Sequence, residues 1–118
     1  MKVAVPSYDC KTMAFSGPGT GQFLVLNIEG GKIIGEECRK VNAERPEEDE
    51  DESGPEHARW HLAILETLKD VDAIVARHMG ETIMTAFKAL KKKIITGVYF
   101  ENVEQLIDFL IKEGILKN

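Results

Sequence analysis

The chain has 118 residues, 43% of them hydrophobic and 30% charged, with a formal net charge of −5. That length and apolar content describe a single domain, residues 1–118, that can fill a core without help from a metal or a disulfide. No apolar run reaches about 18 residues, so no membrane partner is expected; no basic cluster interleaves with aromatics, so no nucleic-acid partner is expected either.

In chain order, "MKVAVPSYD" opens with a short apolar strand, Lys2 to Val5, stopped by Pro6. The apolar run is too short for an export signal, which predicts a cytoplasmic protein with Cys10 and Cys38 as reduced thiols. Residues 6–21 form a loop rich in Gly, Ser and Pro. "QFLVLNIE" (22–29) has the β-branched and aromatic enrichment of a strand, and Gly30-Gly31 supplies a two-residue hairpin turn into "KIIGEECR" (32–39). Residues 44–56 carry eight acids and one arginine, which leaves the rest of the chain close to neutral. Their charge, with two prolines and no aromatic residue, predicts a mobile surface loop.

From Glu56 a helix is expected, with Ala58, His61, Leu62, Leu65 and Leu68 on one face and Trp60 as a packing anchor. "VDAIVA" (71–76) reads as a buried strand. "ETIMTAFKALK" (81–91) reads as a helix with Ile83, Met84, Phe87 and Leu90 on its stripe, and "KIITGV" (93–98) as another strand. Asn102 and Gln105 have capping-box spacing at the start of a last helix, which turns Val103, Leu106, Ile107 and Leu110 inward and ends at Gly114. The order β-β-β-α-β-α-β-α predicts an α/β fold. Its sheet is mixed and five-stranded, lies between helical layers, and has strand two antiparallel to the rest.

"MKVAVPSYD", the hairpin "FLVLNIEGGKI" and "DAIVARHMGETIMTAFKALKKKIITGVY" together resemble the nitrogenase accessory factor family, also described as dinitrogenase iron–molybdenum cofactor-binding domains. The likeness runs through most of the chain. It implies a three-layer α/β/α, ribonuclease H-like fold with sheet order 3-2-1-4-5. It also implies a role with an iron–molybdenum-type or iron–sulfur cluster. The chain departs from the family in three places. "AFSGPGTGQF" keeps Phe15 but has no arginine, Arg77-His78 stand where a glycine pair often precedes the helix, and the segment before the first helix is acidic where relatives can be histidine-rich.

In open α/β sheets, ligands bind beyond the carboxyl ends of the strands where the strand order reverses. With order 3-2-1-4-5 that point lies between strands one and four, flanked by loops 6–21 and 77–80. Arg77 and His78 then line one wall and Cys10 the other. A thiolate and an imidazole suit iron, copper, zinc and iron–sulfur clusters, so Cys10 and His78 are the candidate metal ligands. Arg77 and the helix start at Gly80 are candidates for neutralising an anionic cluster. Cys38 should emerge at the same end, two strand spacings or roughly 10 Å away. His57 could join that end from the first helix.

Plainer readings compete. Met79 suits core packing, and His61, on the apolar stripe, a hydrogen-bonded core position. "GPGTG" (17–21) leads into a strand rather than a helix, unlike phosphate loops. No nucleophile elbow or paired catalytic carboxylates are visible, so the chain is not expected to be an enzyme. The favoured expectation is a non-enzymatic carrier of a metal–sulfur cluster or its precursor, exchanging cargo with a donor or acceptor protein in cluster assembly. The alternative is a cofactor-free interaction module that docks through its acidic loop. A nucleotide-binding protein using "GPGTG" and the Gly80 helix ranks third.

Overall fold

The computed structural model describes residues 1–46 and 54–117. Most of the acidic segment, residues 47–53, lies outside them, and so does the reading of that segment as a mobile loop. The strands are β1 (Lys2–Pro6), β2 (Gln22–Glu29), β3 (Lys32–Lys40), β4 (Ala73–Val75) and β5 (Lys93–Ile95). The helices are α1 (Pro55–Thr67), α2 (Glu81–Ala89) and α3 (Val103–Lys112). The sheet order is β3-β2-β1-β4-β5, with β2 antiparallel to both its neighbours and β1, β4 and β5 parallel. This is the α/β layout and strand order read from the sequence. The turn between β2 and β3 falls on Gly30 and Gly31, whose φ values of 58° and 75° are those a two-residue hairpin demands.

Alternation along the strands sorts the apolar residues to two cores. Val3, Val5, Leu24, Leu26, Ile28 and Val75 face α3, which contributes Val103, Leu106, Ile107 and Leu110. Ala4, Phe23, Val25, Ile74 and Ala76 face α1 and α2, which contribute Trp60, Ile64, Leu68, Ile83 and Phe87. The α3 face is the one the sequence predicts, and Asn102 caps that helix by accepting from the Gln105 amide at 3.0 Å.

The α1 face is met only in part. Leu68 of the expected stripe and the expected anchor Trp60 are buried, but Ala58 and Leu62 point to solvent, Leu62 being 64% exposed, and Ile64 is buried in their place. The reason is area. Burying an indole removes more apolar surface from water than burying an alanine, and the six-membered ring of Trp60 occupies the space that a side chain at Gly21 would need. The helix therefore rotates to seat Trp60. On α2, Ile83 and Phe87 are buried as expected, but Leu90 is 53% exposed, because the helix ends at Ala89 and Lys91 turns into the left-handed region. Among the described residues no helix is long and apolar enough to cross a membrane.

An ion-pair group ties edge strand β3 to the connection between α1 and β4. Arg39 places two guanidinium nitrogens on the two oxygens of Asp70, at 2.5 and 2.9 Å, and donates to the Thr67 carbonyl; Lys2 adds a contact to Asp70 at 2.8 Å. Arg39 first, then Lys2, holds the Asp70 carboxyl well below the usual carboxylate range.

Leu106 is fully buried at the centre of the α3 face. Leu106→Ala is expected to lower unfolding free energy by about 2–5 kcal/mol, read as a lower denaturant midpoint with an unchanged slope.

Candidate functional site

The loop after β1 does not wander. Asp9 accepts from the backbone amides of Lys11 and Thr12, each at 2.9 Å, and from the hydroxyls of Thr12 and Ser7, each at 3.1 Å. Backbone donation by Thr12 and Lys11 dominates and pushes the Asp9 carboxyl far below the usual range. This Asx-type turn sets Cys10 at φ 57°, a left-handed conformation that few non-glycine residues adopt. The chain then runs beside the segment that leads into α3: Met13 donates to the Glu101 carbonyl at 3.1 Å, and Thr12 pairs with Asn102.

The loops 6–21 and 77–80 come together, as the switch-point argument requires. Gly17 lies so close to the His78 carbonyl oxygen that a Cβ has no room. Arg77 donates from Nε to the Phe15 carbonyl at 2.9 Å, and its guanidinium carbon sits 3.7 Å above the centre of the Phe15 ring. Phe15 in turn meets Tyr99 edge to face, ring centres 5.3 Å apart. At these points the walls touch, so the crevice is narrower than the strand order alone implies. Met79 is buried in the α1–α2 core, as expected. His78 is exposed, and Gly80 is the N-cap of α2 with no side-chain cap. Arg77, His78 and Gly80 thus share one wall. The guanidinium is thus stacked on Phe15, while its Nη groups make no hydrogen bond to protein among the described residues.

Cys10 departs from expectation. Its sulfur is not a free thiol but is bonded to Cys38, with Cα atoms 5.6 Å apart rather than about 10 Å. The strand-spacing argument kept the loop above its own strand. The Asp9 turn instead carries Cys10 across the end of β2, where its sulfur lies 3.9 Å from the Phe23 carbonyl, toward β3. Cys38 is on β3 and His78 follows β4, with β2 and β1 between those strands. In this form Cys10 and His78 belong to opposite sides of β1.

Among the described residues no group of three or more His, Cys, Asp or Glu side chains is placed to hold a metal ion. His57 and His61 lie along α1, ring centres 6.4 Å apart, with His57 in the first turn of the helix. Pro18 to Thr20 of "GPGTG" form one turn of 3₁₀ helix that leads into β2. The packing of Phe15, Gly17 and Tyr99 against the site was not singled out from the sequence, although a Gly-Pro step in a strand-end loop is a signal of close backbone approach.

Residues 1–113 match the family described as dinitrogenase iron-molybdenum cofactor. Among curated proteins none matches the chain. The solved structure of PH0822 is similar at a TM-score of 0.70 and 21% identity, over 96% of this chain and 90% of that one. MJ0327 of Methanocaldococcus jannaschii, provisionally described as a dinitrogenase, is similar at a TM-score of 0.62 and 22% identity, over 99% of this chain and 92% of that one. At these identities the two structures speak for the fold.

Two outcomes test the local architecture. Gly17→Val is expected to part the loops and lower the thermal midpoint, with faster amide hydrogen exchange at residues 14–17 and 77–80. For Asp9, a carboxyl whose folded pKa is depressed stabilises the protein above its ordinary value. That contribution is lost as pH falls below about 4 toward the folded value. Asp9→Asn should therefore be less stable than wild type at neutral pH, and the difference should shrink on acid titration below pH 4.

Proposed function

Because the chain belongs to the dinitrogenase iron–molybdenum cofactor family, we propose that it is a non-enzymatic carrier of a metal–sulfur cluster or its precursor. The cargo binds at the ends of β1 and β4, between loops 6–21 and 77–80. The observation that carries this reading is the wall formed by residues 77–80. There an exposed imidazole, a guanidinium that stacks on Phe15 and keeps its Nη groups free of protein hydrogen bonds, and the N-terminus of α2 without a side-chain cap follow one another along the chain. His78 is the metal ligand on that wall. Arg77 and the amides following Gly80 offset the negative charge of an anionic cluster. Cys10 is the second ligand, in the form of the protein in which its bond to Cys38 is open. Two protein ligands suit cargo that must be passed on, because each bond made here has to be broken at the acceptor. The donor and the acceptor are other proteins of cluster assembly, met in the cytoplasm.

The test is anaerobic reconstitution of the reduced protein with ferrous iron and sulfide, followed by desalting, with iron per chain and the visible spectrum as readouts. Wild type should hold a cluster. His78→Ala and Cys10→Ser should each lose at least half of the iron, and the double variant nearly all of it. Full stoichiometry in the double variant would overturn the assignment.

A further inference from the structure

Cys10, a proposed cargo ligand, is also half of a disulfide, and those two roles exclude one another. We propose that the Cys10–Cys38 bond is a redox latch on the cargo site: closed, it withholds the Cys10 sulfur; opened by a thiol reductant, it frees the Cys10 thiolate to bind metal. The inference rests on the carrier reading and adds its regulation.

Three observations carry it. The two sulfurs are bonded, with Cα atoms 5.6 Å apart, well inside the range that disulfides span. Cys38 is exposed on edge strand β3 while Cys10 is half-buried, so an incoming thiolate meets the Cys38 side of the bond first. And in the bonded form Cys10 lies over the end of β2 toward β3, where the Asp9 turn sets it, whereas His78 follows β4 beyond β1. A metal bound to the closed form has only the imidazole from this pair.

The exchange balances with two equivalents of a low-molecular-weight thiol. The thiolate of the first attacks Cys38 Sγ, a new S–S bond forms there, and Cys10 departs as a thiolate. The second thiol attacks the mixed disulfide, releases the Cys38 thiolate and leaves as the oxidised small-molecule disulfide. Two electrons pass from the two thiols to the protein. Closing the latch consumes a disulfide oxidant in the reverse sequence.

Because sulfide itself reduces disulfides, the latch is tested with cobalt(II) alone under argon, reading the thiolate-to-cobalt charge-transfer band. The disulfide form, the reduced and desalted form, and Cys38→Ser are titrated side by side, with thiols counted by alkylation and mass spectrometry. The reduced form and Cys38→Ser should give the band. The disulfide form should give at least tenfold less, and Cys10→Ser none. Two free thiols in the protein purified in air would overturn the latch, as would equal bands in the disulfide and reduced forms. So would a band that Cys38→Ser abolishes, which would make Cys38 a ligand rather than a restraint. No band in any reduced form also overturns it. The carrier reading is judged separately, by iron per chain in reduced wild type against His78→Ala.

Discussion

One carboxylate organises the end of the sheet where function is expected. Asp9 gathers two backbone amides and two hydroxyls within four residues, and in doing so decides which way the chain turns as it leaves β1. A different turn would leave Cys10 above its own strand. The turn that forms lays Cys10 over the end of β2, sends Met13 and Ala14 back into the structure, and brings Phe15 and Gly17 against residues 77 and 78. Asp9 is exposed, so each of its hydrogen bonds competes with water and is individually modest. Their concentration on one side chain is what makes the loop a defined surface.

The sequence discloses the fold where local chemistry and global packing agree. The Gly30-Gly31 turn specifies a hairpin, the β-α alternation after it specifies parallel pairing, and the strand order comes from the family resemblance. In α3, large aliphatic residues at 103, 106, 107 and 110 leave one phase open. In α1 two phases compete, because counting Ala58 and Leu62 as equal to Trp60 ignores how much more surface an indole buries. The disulfide was illegible for a related reason. Strand spacings locate Cys38, but nothing in a spacing argument gives the direction of the turn at Asp9. That direction is written only in the short Asp-x-x-Thr pattern of residues 9–12, which reads as a turn once its acceptor is recognised.

The site itself combines a constant element with a variable one. The switch point between β1 and β4 follows from the strand order, which is shared with structures only 21–22% identical to this chain. The residues that line it come from loops: an arginine and a histidine follow β4, and the arginine stacks on Phe15 as the clasp between the two walls. The exposed rings of Tyr8, Phe15 and Tyr99 give this end an apolar character that the opposite, ion-paired end around Asp70 lacks.

The disulfide has a second consequence, one that concerns the unfolded chain. It closes a loop of sequence separation 28 that takes in all of β2, the turn and β3 as far as Cys38. Closing a loop of that length removes enough freedom from the unfolded ensemble to favour folding by about 3.5 kcal/mol in the chain-entropy treatment. On the proposed scheme the form able to accept cargo is the form without that restraint. Empty and open, the protein is at its least stable. Cargo binding and crosslinking then act as alternative means of holding the same loop, and the unloaded, reduced chain is the state most open to proteolysis.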